Sequence, residues 1–145
     1  MAKILIDMDG VLADFMGEAE KLGLTPDEAE LKEGFFESIP LIKDAWWGVS
    51  ELRELGHDLY ICTTAPWDNP RAWMEKRIWI EKRFGELFNR KVIMTHQKSM
   101  VDADILIDDR ESEQTKSFKG TWYWFGKDGA DWKAVVQNIC VNFPL

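Results

Sequence analysis

Acidic side chains arranged for phosphate chemistry stand near the start of the chain. The segment Lys3–Asp7 is an apolar run that ends at an acid, and Asp9 and Gly10 follow directly. A carboxylate at Asp7 has the chemistry of a nucleophile and of a magnesium ligand. Asp9 is suited to protonate a leaving alkoxide and then to activate water. The alternative is an Asp-Gly turn with solvated acids, and this segment alone does not separate the two interpretations.

Three further apolar runs also end in polar groups. Thr63 and Thr64 close the second run, Lys98 follows the third, and Asp108 and Asp109 close the fourth. A hydroxyl with adjacent amides suits a phosphate oxygen, a lysine suits phosphoryl charge, and paired carboxylates suit a hard cation. Taken singly, they are also explained as a strand end, a solvated lysine and a helix N-cap. Because all four run ends offer groups for phosphate and magnesium, we interpret them as one site.

The order and spacing of these motifs resemble a known signature. DMDGVLAD at 7–14, ICTT at 61–64, Lys98 and LIDDR at 106–110 are similar to the four motifs of the haloacid dehalogenase-like phosphohydrolases. Together with the segment EGFF at 33–36, they resemble most closely the 5′(3′)-deoxyribonucleotidases. The resemblance runs from about residue 3 to residue 110, and the segment beyond it resembles nothing sharply.

This resemblance implies roles for the motif residues. Asp7 would form an aspartyl-phosphate, and Asp9 would be the acid and base, with its backbone carbonyl on Mg²⁺. Thr63 and Lys98 would hold the phosphoryl oxygens. The implied cofactor is Mg²⁺, with Asp109 as the more direct ligand among the acids of the last motif. The expected metal-binding residues are Asp7, Asp9, Asp108 and Asp109.

The apolar runs alternate with helical patterns, which predicts an α/β fold with right-handed crossovers. Strands are predicted at Lys3–Asp7, His57–Thr63, Lys91–Thr95, Asp104–Asp108 and Thr121–Phe125. Helices are predicted at Asp44–Leu55, from Asn69-Pro70 to Gly85, at Glu111–Phe118 and at Ala130–Cys140. The resemblance implies a Rossmann-like core whose five-stranded parallel sheet has the order 5-4-1-2-3.

The chain has the length of one domain, which we expect to span residues 1–145. Residues 15–43 interrupt the alternation and contain no obvious strand. We expect them to form a small, mainly helical cap inserted after the first strand and folded over the carboxyl edge of the sheet.

Several side chains are candidates for contact with the rest of a substrate. In the resembling family, aromatic residues of the cap contact the nucleoside, which points to Phe35 and Phe36, although a small core of the cap explains them equally well. Arg110 either approaches the substrate or forms a surface salt bridge. Trp67 is a further stacking candidate, whereas packing is the favoured interpretation of the other tryptophans: Trp46, Trp47, Trp73, Trp79, Trp122, Trp124 and Trp132.

Charge and composition restrict the partners. The net charge of −8 argues against a nucleic-acid polymer or an anionic membrane as partner, since both favour a basic face. Cys62 and Cys140 lie in apolar surroundings and are expected to be reduced, buried thiols. The first apolar run does not resemble a signal peptide, and we expect a cytoplasmic protein. A homodimer is left open.

The favoured function is therefore hydrolysis of nucleoside monophosphates, with deoxyribonucleotides as the expected substrates. A phosphatase of the same fold for another small phosphomonoester, such as a sugar phosphate, is the alternative within enzymes. A phosphorylatable signalling receiver is disfavoured. Receivers carry their acid pair after the first strand, whereas the pair Asp108-Asp109 of this chain follows the fourth. An inactive binding module is the remaining alternative.

Overall fold

Five short parallel strands form the central sheet in a computed structural model, which describes residues 1–144. The strands are β1 (Lys3–Ile6), β2 (Asp58–Thr63), β3 (Val92–Met94), β4 (Ile105–Asp108) and β5 (Thr121–Trp124). Their order is β3-β2-β1-β4-β5, which is 5-4-1-2-3 when counted from the β5 edge. The predicted parallel α/β fold is confirmed. The central strands β1 and β4 are almost wholly apolar because helices cover both faces of the sheet.

The four helices predicted after residue 43 are present, with ends shifted by a few residues, and three short helices precede them. In chain order, the helices are α1 (Phe15–Lys21), α2 (Pro26–Leu31), α3 (Phe35–Ser38), α4 (Ala45–Glu54), α5 (Pro70–Phe84), α6 (Glu113–Lys116) and α7 (Trp132–Asn142). Short 3₁₀ turns occupy Lys98–Met100 and Lys127–Gly129. None of the helices in residues 1–144 is both long enough and apolar enough to cross a membrane.

The segment predicted as a cap, residues 15–43, contains α1, α2 and α3. Local signals explain its short helices. Thr25 accepts a hydrogen bond from the Glu28 amide while the Glu28 side chain accepts one from the Thr25 amide, and Pro26 occupies the first turn. Gly34, at φ +81°, then turns the chain into α3. The separation of this segment from the core as a cap stays a prediction.

Helix α5 fastens this segment to the core. The amides of Gly34 and Phe36 donate to the carboxylate of Glu75 at 3.1 and 3.2 Å. One turn further along α5, the indole N–H of Trp79 donates to the Ile39 carbonyl at 2.7 Å. Glu75 and Trp79 are buried, so these hydrogen bonds are shielded from water and hold the segment firmly against α5.

The C-terminal helix supports the loop that follows β1. A Cβ at Gly48 of α4 would lie 2.2 Å from the Trp132 ring, so glycine is required for the close contact between α4 and α7. The Trp132 indole N–H donates to the Val11 carbonyl at 2.8 Å. Cys140 on α7 is exposed, and the prediction that both cysteines are buried is therefore wrong for this one, because it lies on the outward face of an amphipathic helix.

Candidate active site

Three carboxylates meet at the carboxyl ends of β1 and β4. The two strands are paired in register, and the Asp7 amide donates to the Ile107 carbonyl at 2.9 Å, so Asp7 and Asp108 leave the sheet side by side. Asp7, Asp108 and Asp109 each offer an oxygen within 4.8 Å of the others. Asp7 and Asp108 are buried, whereas Asp109 is exposed. An all-oxygen cluster of this kind has the donor chemistry that Mg²⁺ prefers.

Lys98 is the cation of this cluster. It begins the 3₁₀ turn after β3, and its Nζ lies 2.8 Å from Asp7 Oδ1 and 2.8 Å from Asp108 Oδ2. Burial alone lowers the pKa of Lys98, but the attraction of the two carboxylates outweighs it and raises that pKa, so the side chain stays an ammonium ion. Its contact with the phosphoryl oxygens of a substrate stays a prediction.

The three acids carry more negative charge than Lys98 can balance. Although Asp109 is exposed as a residue, neighbouring protein atoms keep water from part of its carboxylate, which raises its pKa to about 7, and repulsion from Asp7 and Asp108 contributes. Burial, followed by the neighbouring Asp7, likewise raises the pKa of Asp108, although Lys98 opposes this. A bound divalent cation would remove this repulsion, and the donor set therefore fits the Mg²⁺ implied by the sequence.

Asp9 is paired with a lysine that lies outside every motif. The Nζ of Lys76 lies 2.7 Å from Asp9 Oδ2, 2.9 Å from Thr63 Oγ1 and 2.8 Å from the Thr64 carbonyl oxygen. The other carboxylate oxygen, Asp9 Oδ1, is buried and has no hydrogen-bond partner within residues 1–144. Burial raises the pKa of Asp9, and Lys76 opposes this. A carboxyl with a raised pKa is suited to donate a proton.

Sequence reasoning missed Lys76, although a signal for it exists. The buried face of α5 consists of residues three or four positions apart: Ala72, Glu75, Lys76, Trp79, Ile80 and Phe84. Two charged residues at the centre of an otherwise apolar stripe are unusual, because lysine and glutamate are almost never fully buried unless they are paired. This pattern distinguishes Glu75 and Lys76 from the other charged residues of α5.

The two threonines at the end of β2 differ in position. Thr63 is fully buried, its hydroxyl oxygen accepts the hydrogen bond from Lys76, and it does not line the cleft, so its contact with a phosphate stays a prediction. Thr64 is exposed and lines the cleft, and its hydroxyl donates to the Thr95 carbonyl at 2.8 Å. Of the pair, Thr64 is the one that faces the acids across open space.

A cleft of about 570 Å³ opens above these groups. Its lining includes the catalytic candidates, Arg110, and residues of the cap segment and of the loops after β2 and β3. The residues of the walls include Phe15, Met16, Pro26, Glu30, Ala65, Pro66, Trp67 and His96. A second hollow of about 430 Å³, lined by Leu31 and residues 68–71, contains none of the acids at the strand ends. The large cleft is therefore the candidate active site.

Phe35 and Phe36 do not line this cleft. Their exposed fractions are 1% and 0%, and their rings meet edge to face at 5.5 Å between centroids. Phe15 packs against Phe35 at 5.1 Å and lies between this aromatic pair and the cleft, of which it is a wall residue. Both rings belong to the main hydrophobic core, which agrees with a packing role, and their contact with substrate stays a prediction.

Arg110 and Trp67 are the exposed candidates at the cleft. Arg110 lines it and forms no salt bridge with any residue from 1 to 144, so the surface salt bridge considered as its alternative role is absent there. Its backbone amide donates to Asp108 Oδ1 at 3.0 Å. Trp67 is 76% exposed, and its ring meets that of His96 edge to face at 5.7 Å.

Comparisons with known proteins agree with this geometry. Residues 29–129 match the family described as 5′ nucleotidase, deoxy (Pyrimidine), cytosolic type C protein. A protein of Vibrio phage KVP40, provisionally named 5′(3′)-deoxyribonucleotidase, is 35% identical over 143 residues, covering 94% of this chain and 83% of the relative. The mitochondrial 5′(3′)-deoxyribonucleotidase of Mus musculus is 32% identical over 184 residues, covering 99% of this chain and 76% of the relative.

A solved structure shares the fold. A hydrolase from Streptococcus pneumoniae TIGR4 superposes with a TM-score of 0.54 at 13% identity, covering 97% of each chain. At this identity the likeness shows the fold alone. The family match covers the second, third and fourth motifs, and the phage relative covers 94% of the chain. The chain therefore belongs to the 5′(3′)-deoxyribonucleotidase family of haloacid dehalogenase-like phosphohydrolases.

Proposed function

We propose that this protein hydrolyses the phosphomonoester bond of deoxyribonucleoside 5′- or 3′-monophosphates, with Mg²⁺ as cofactor and Asp7 as nucleophile. The observation that carries the proposal is the position of Asp7. Its carboxylate is buried at the floor of the cleft, is bonded to Lys98 at 2.8 Å, and lies within 4.8 Å of two further acids. A carboxylate in such a setting is fixed in orientation and protected from side reactions.

The first displacement breaks the ester bond. An oxygen of Asp7 attacks the phosphorus atom, the bond from phosphorus to the nucleoside oxygen breaks, and Asp9 gives its proton to the leaving oxygen. The raised pKa of Asp9 supports this role, because the carboxyl must hold a proton at working pH. Lys98 contacts Asp7 through Oδ1 only, so the contact orients the carboxylate without occupying both oxygens.

The second displacement restores the enzyme. Asp9, now a carboxylate, takes a proton from water, the water oxygen attacks phosphorus, and the bond between phosphorus and Asp7 breaks to release inorganic phosphate. Lys76, at 2.7 Å, stabilises the carboxylate form of Asp9 that this step requires. Asp9 therefore alternates between two protonation states. Burial favours the protonated carboxyl, and Lys76 favours the carboxylate.

The expected metal site consists of Asp7, Asp109 and the backbone carbonyl of Asp9, with Asp108 held beside them by Lys98. When bound, Mg²⁺ would offset the repulsion between the phosphate and the carboxylates of the site. Thr64 and Arg110, which line the cleft, are the proposed contacts to the phosphate oxygens and the substrate edge.

The substrate class is argued from the relatives and the cleft. The phage and mouse relatives are named 5′(3′)-deoxyribonucleotidases. The cleft of about 570 Å³ is much larger than a phosphate group requires, and Phe15, Met16 and Trp67 give its walls apolar surface. A nucleoside fits such a space. The partner is thus a small molecule, and the cytoplasmic location and the homodimer stay predictions.

A substrate panel tests the proposal. Phosphate release with Mg²⁺ would be measured on deoxyribonucleoside monophosphates, ribonucleoside monophosphates and sugar phosphates, with Asp7→Asn as the control. We expect the highest kcat/KM on deoxyribonucleotides and at least about a 10³-fold loss of kcat in Asp7→Asn. Beryllofluoride, which mimics a phosphoryl group on a carboxylate, should bind the wild-type protein only.

The other outcomes of this panel are decisive as well. Equal rates on sugar phosphates would favour a phosphatase for another small phosphomonoester. Absence of release on every substrate would favour an inactive binding module. Normal turnover by Asp7→Asn would overturn the assignment of the nucleophile.

A further inference from the structure

We propose that Trp122 and Trp124 of β5 are positioning residues for the acid pair Asp108-Asp109. The indole N–H of Trp122 donates to the Asp108 carbonyl oxygen at 3.0 Å, and that of Trp124 donates to the Asp109 carbonyl oxygen at 3.1 Å. Each tryptophan thus holds the backbone of one acid of the cluster. The inference rests on the proposed function, because it assigns this backbone contact a role in magnesium binding.

The two hydrogen bonds extend strand pairing beyond the end of β4. The regular β4–β5 ladder ends with the Phe125 amide, which donates to the Asp108 carbonyl at 3.0 Å. Asp109 is already past the strand, and within residues 1–144 the Trp124 indole is the one hydrogen-bond donor to its carbonyl. The side chain therefore supplies the donor that the missing next backbone amide would have supplied.

The tryptophans are themselves held in place. They stand two positions apart on one face of β5, and their rings stack at 4.8 Å with an interplanar angle of 21°. Trp122 packs against the cluster of Leu5, Cys62, Leu106 and Phe118. The ammonium group of Lys127 lies 4.2 Å from the centroid of the Trp124 ring. Because packing holds both indole rings, their N–H groups keep the two carbonyls in one position. A mobile side chain would not hold its acceptor in this way.

Because the backbone of Asp108 and Asp109 is held at these carbonyls, the positions of their carboxylates are restricted too. A backbone rotation at Asp109 would move its carboxylate relative to Asp7, with which it shares the oxygen cluster of the proposed metal site. Groups that orient metal ligands typically change metal affinity by about 10- to 100-fold when they are removed. Because the Asp109 carbonyl is exposed and can bond to water instead, loss of the Trp124 donor should loosen the acid more than it destabilises the fold.

Trp124→Phe removes the donor to the Asp109 carbonyl and keeps an aromatic ring for stacking. Trp122→Phe removes the donor to the Asp108 carbonyl in the same way. The matched control is Trp46→Phe on α4, whose exposed ring stacks on Phe84 away from the acids. Calorimetric titration of the substrate-free protein with MgCl₂ measures the affinity directly. We expect Trp124→Phe to weaken Mg²⁺ binding about 10-fold and the control to change it less than 2-fold. The Mg²⁺ concentration for half-maximal activity should rise in parallel, by a larger factor than kcat falls.

The outcomes separate this inference from the proposed function. If the wild-type protein binds Mg²⁺ and both β5 variants bind it within 2-fold of wild type, the tryptophans only pack, and the inference is overturned. If the wild-type protein binds no Mg²⁺, the metal part of the proposed function fails together with the inference. Should either phenylalanine variant unfold, benzothienylalanine can replace Trp124 instead. This residue keeps the ring shape and replaces the N–H by sulfur, so its Mg²⁺ affinity tests the loss of the same hydrogen bond.

Discussion

Lys76 Nζ lies 2.7 Å from Asp9 Oδ2, so the acid proposed for proton transfer is bonded to a fully buried lysine of α5. The same ammonium group bonds to Thr63 Oγ1 and to the Thr64 carbonyl, which connects the end of β2 with the loop after β1. Lys76 therefore links the second motif to the first. Its charge opposes the effect of burial on the pKa of Asp9.

Lys76→Met should impair both displacements. We expect kcat at pH 7 to fall by about 10²-fold, because Asp9 loses the cation that stabilises its carboxylate form and the three hydrogen bonds that join Asp9 to the end of β2 are lost. Lys76 lowers the pKa of Asp9, so its removal raises that pKa. The protonated form of Asp9 then persists to higher pH, and the alkaline limb of single-turnover nucleoside release should move upward. Lys82→Met, at an exposed position of the same helix, is the control and should leave the profile in place.

Gly10→Ala should displace Asp109. A Cβ at Gly10 would lie 1.9 Å from Asp109 Oδ2, and the residue has φ +83°. Gly56→Ala is a matched control, since Gly56 has φ +88° but no neighbour within 4 Å. Both variants should lose about 1 to 2 kcal/mol of stability through the strained backbone. Only Gly10→Ala should also weaken Mg²⁺ binding, by about 10-fold or more. Equal Mg²⁺ affinity in the two variants would show that Gly10 serves the turn alone.

The titration of Asp109 should make the metal-free protein less stable as pH rises. Its pKa is raised from 3.8 to about 7 on folding, so the folded state holds this proton more tightly than the unfolded state. That contribution to stability is complete below pH 4 and is lost as pH rises toward 7. In EDTA, Asp109→Asn should therefore match the wild type near pH 4 and exceed its stability at pH 8. We expect a gain of about 1 to 2 kcal/mol, because the exposed side chain is partly screened by solvent.

Urea denaturation at a series of pH values measures this difference, with Asp102→Asn, an exposed acid outside the cluster, as the control. A stability difference between Asp109→Asn and wild type that does not change from pH 4 to pH 8 would contradict the assignment. Saturating Mg²⁺ should reverse the order at pH 8, since only the wild type retains the charged ligand.

The sequence predicts the residues at strand ends well, because two independent constraints act there. Asp7 and Asp108 each end a buried apolar run, and parallel strands bring their carboxyl ends to one edge. Lys76 has no such marker, since a helical lysine is ordinarily solvated and only the apolar stripe around it reveals its burial. The sequence left two roles open for Phe36, because an aromatic side chain in a small cap serves a core and a ligand equally well, and its burial in the structure favours the core. Trp124 was interpreted as packing, since the sequence does not show that its indole N–H reaches the Asp109 carbonyl.

The position of the cap segment should depend on Glu75. Its carboxylate accepts from the Gly34 and Phe36 amides, and Phe36 packs through Phe35 onto Phe15, which forms a wall of the cleft. Glu75→Gln leaves one oxygen to accept and turns an NH₂ group toward the second amide. We expect a loss of about 1 to 3 kcal/mol of stability, because a buried donor is left unpaired.

The kinetic consequence of this substitution should be specific to the larger substrate. Because the Phe15 wall shifts while Asp7 and Lys98 stay on the sheet edge, KM for a deoxyribonucleotide should rise several-fold at a temperature well below the melting point. The kinetic constants for a phosphoester without a base should change less. Glu81→Gln, at an exposed position of α5 where Glu81 meets Arg77 at 3.4 Å, is the control and should alter neither substrate. A phosphoester without a base does not touch the cap wall, so a change confined to that wall should not affect it. Equal effects of Glu75→Gln on both substrates would therefore mean that Glu75 supports the fold as a whole.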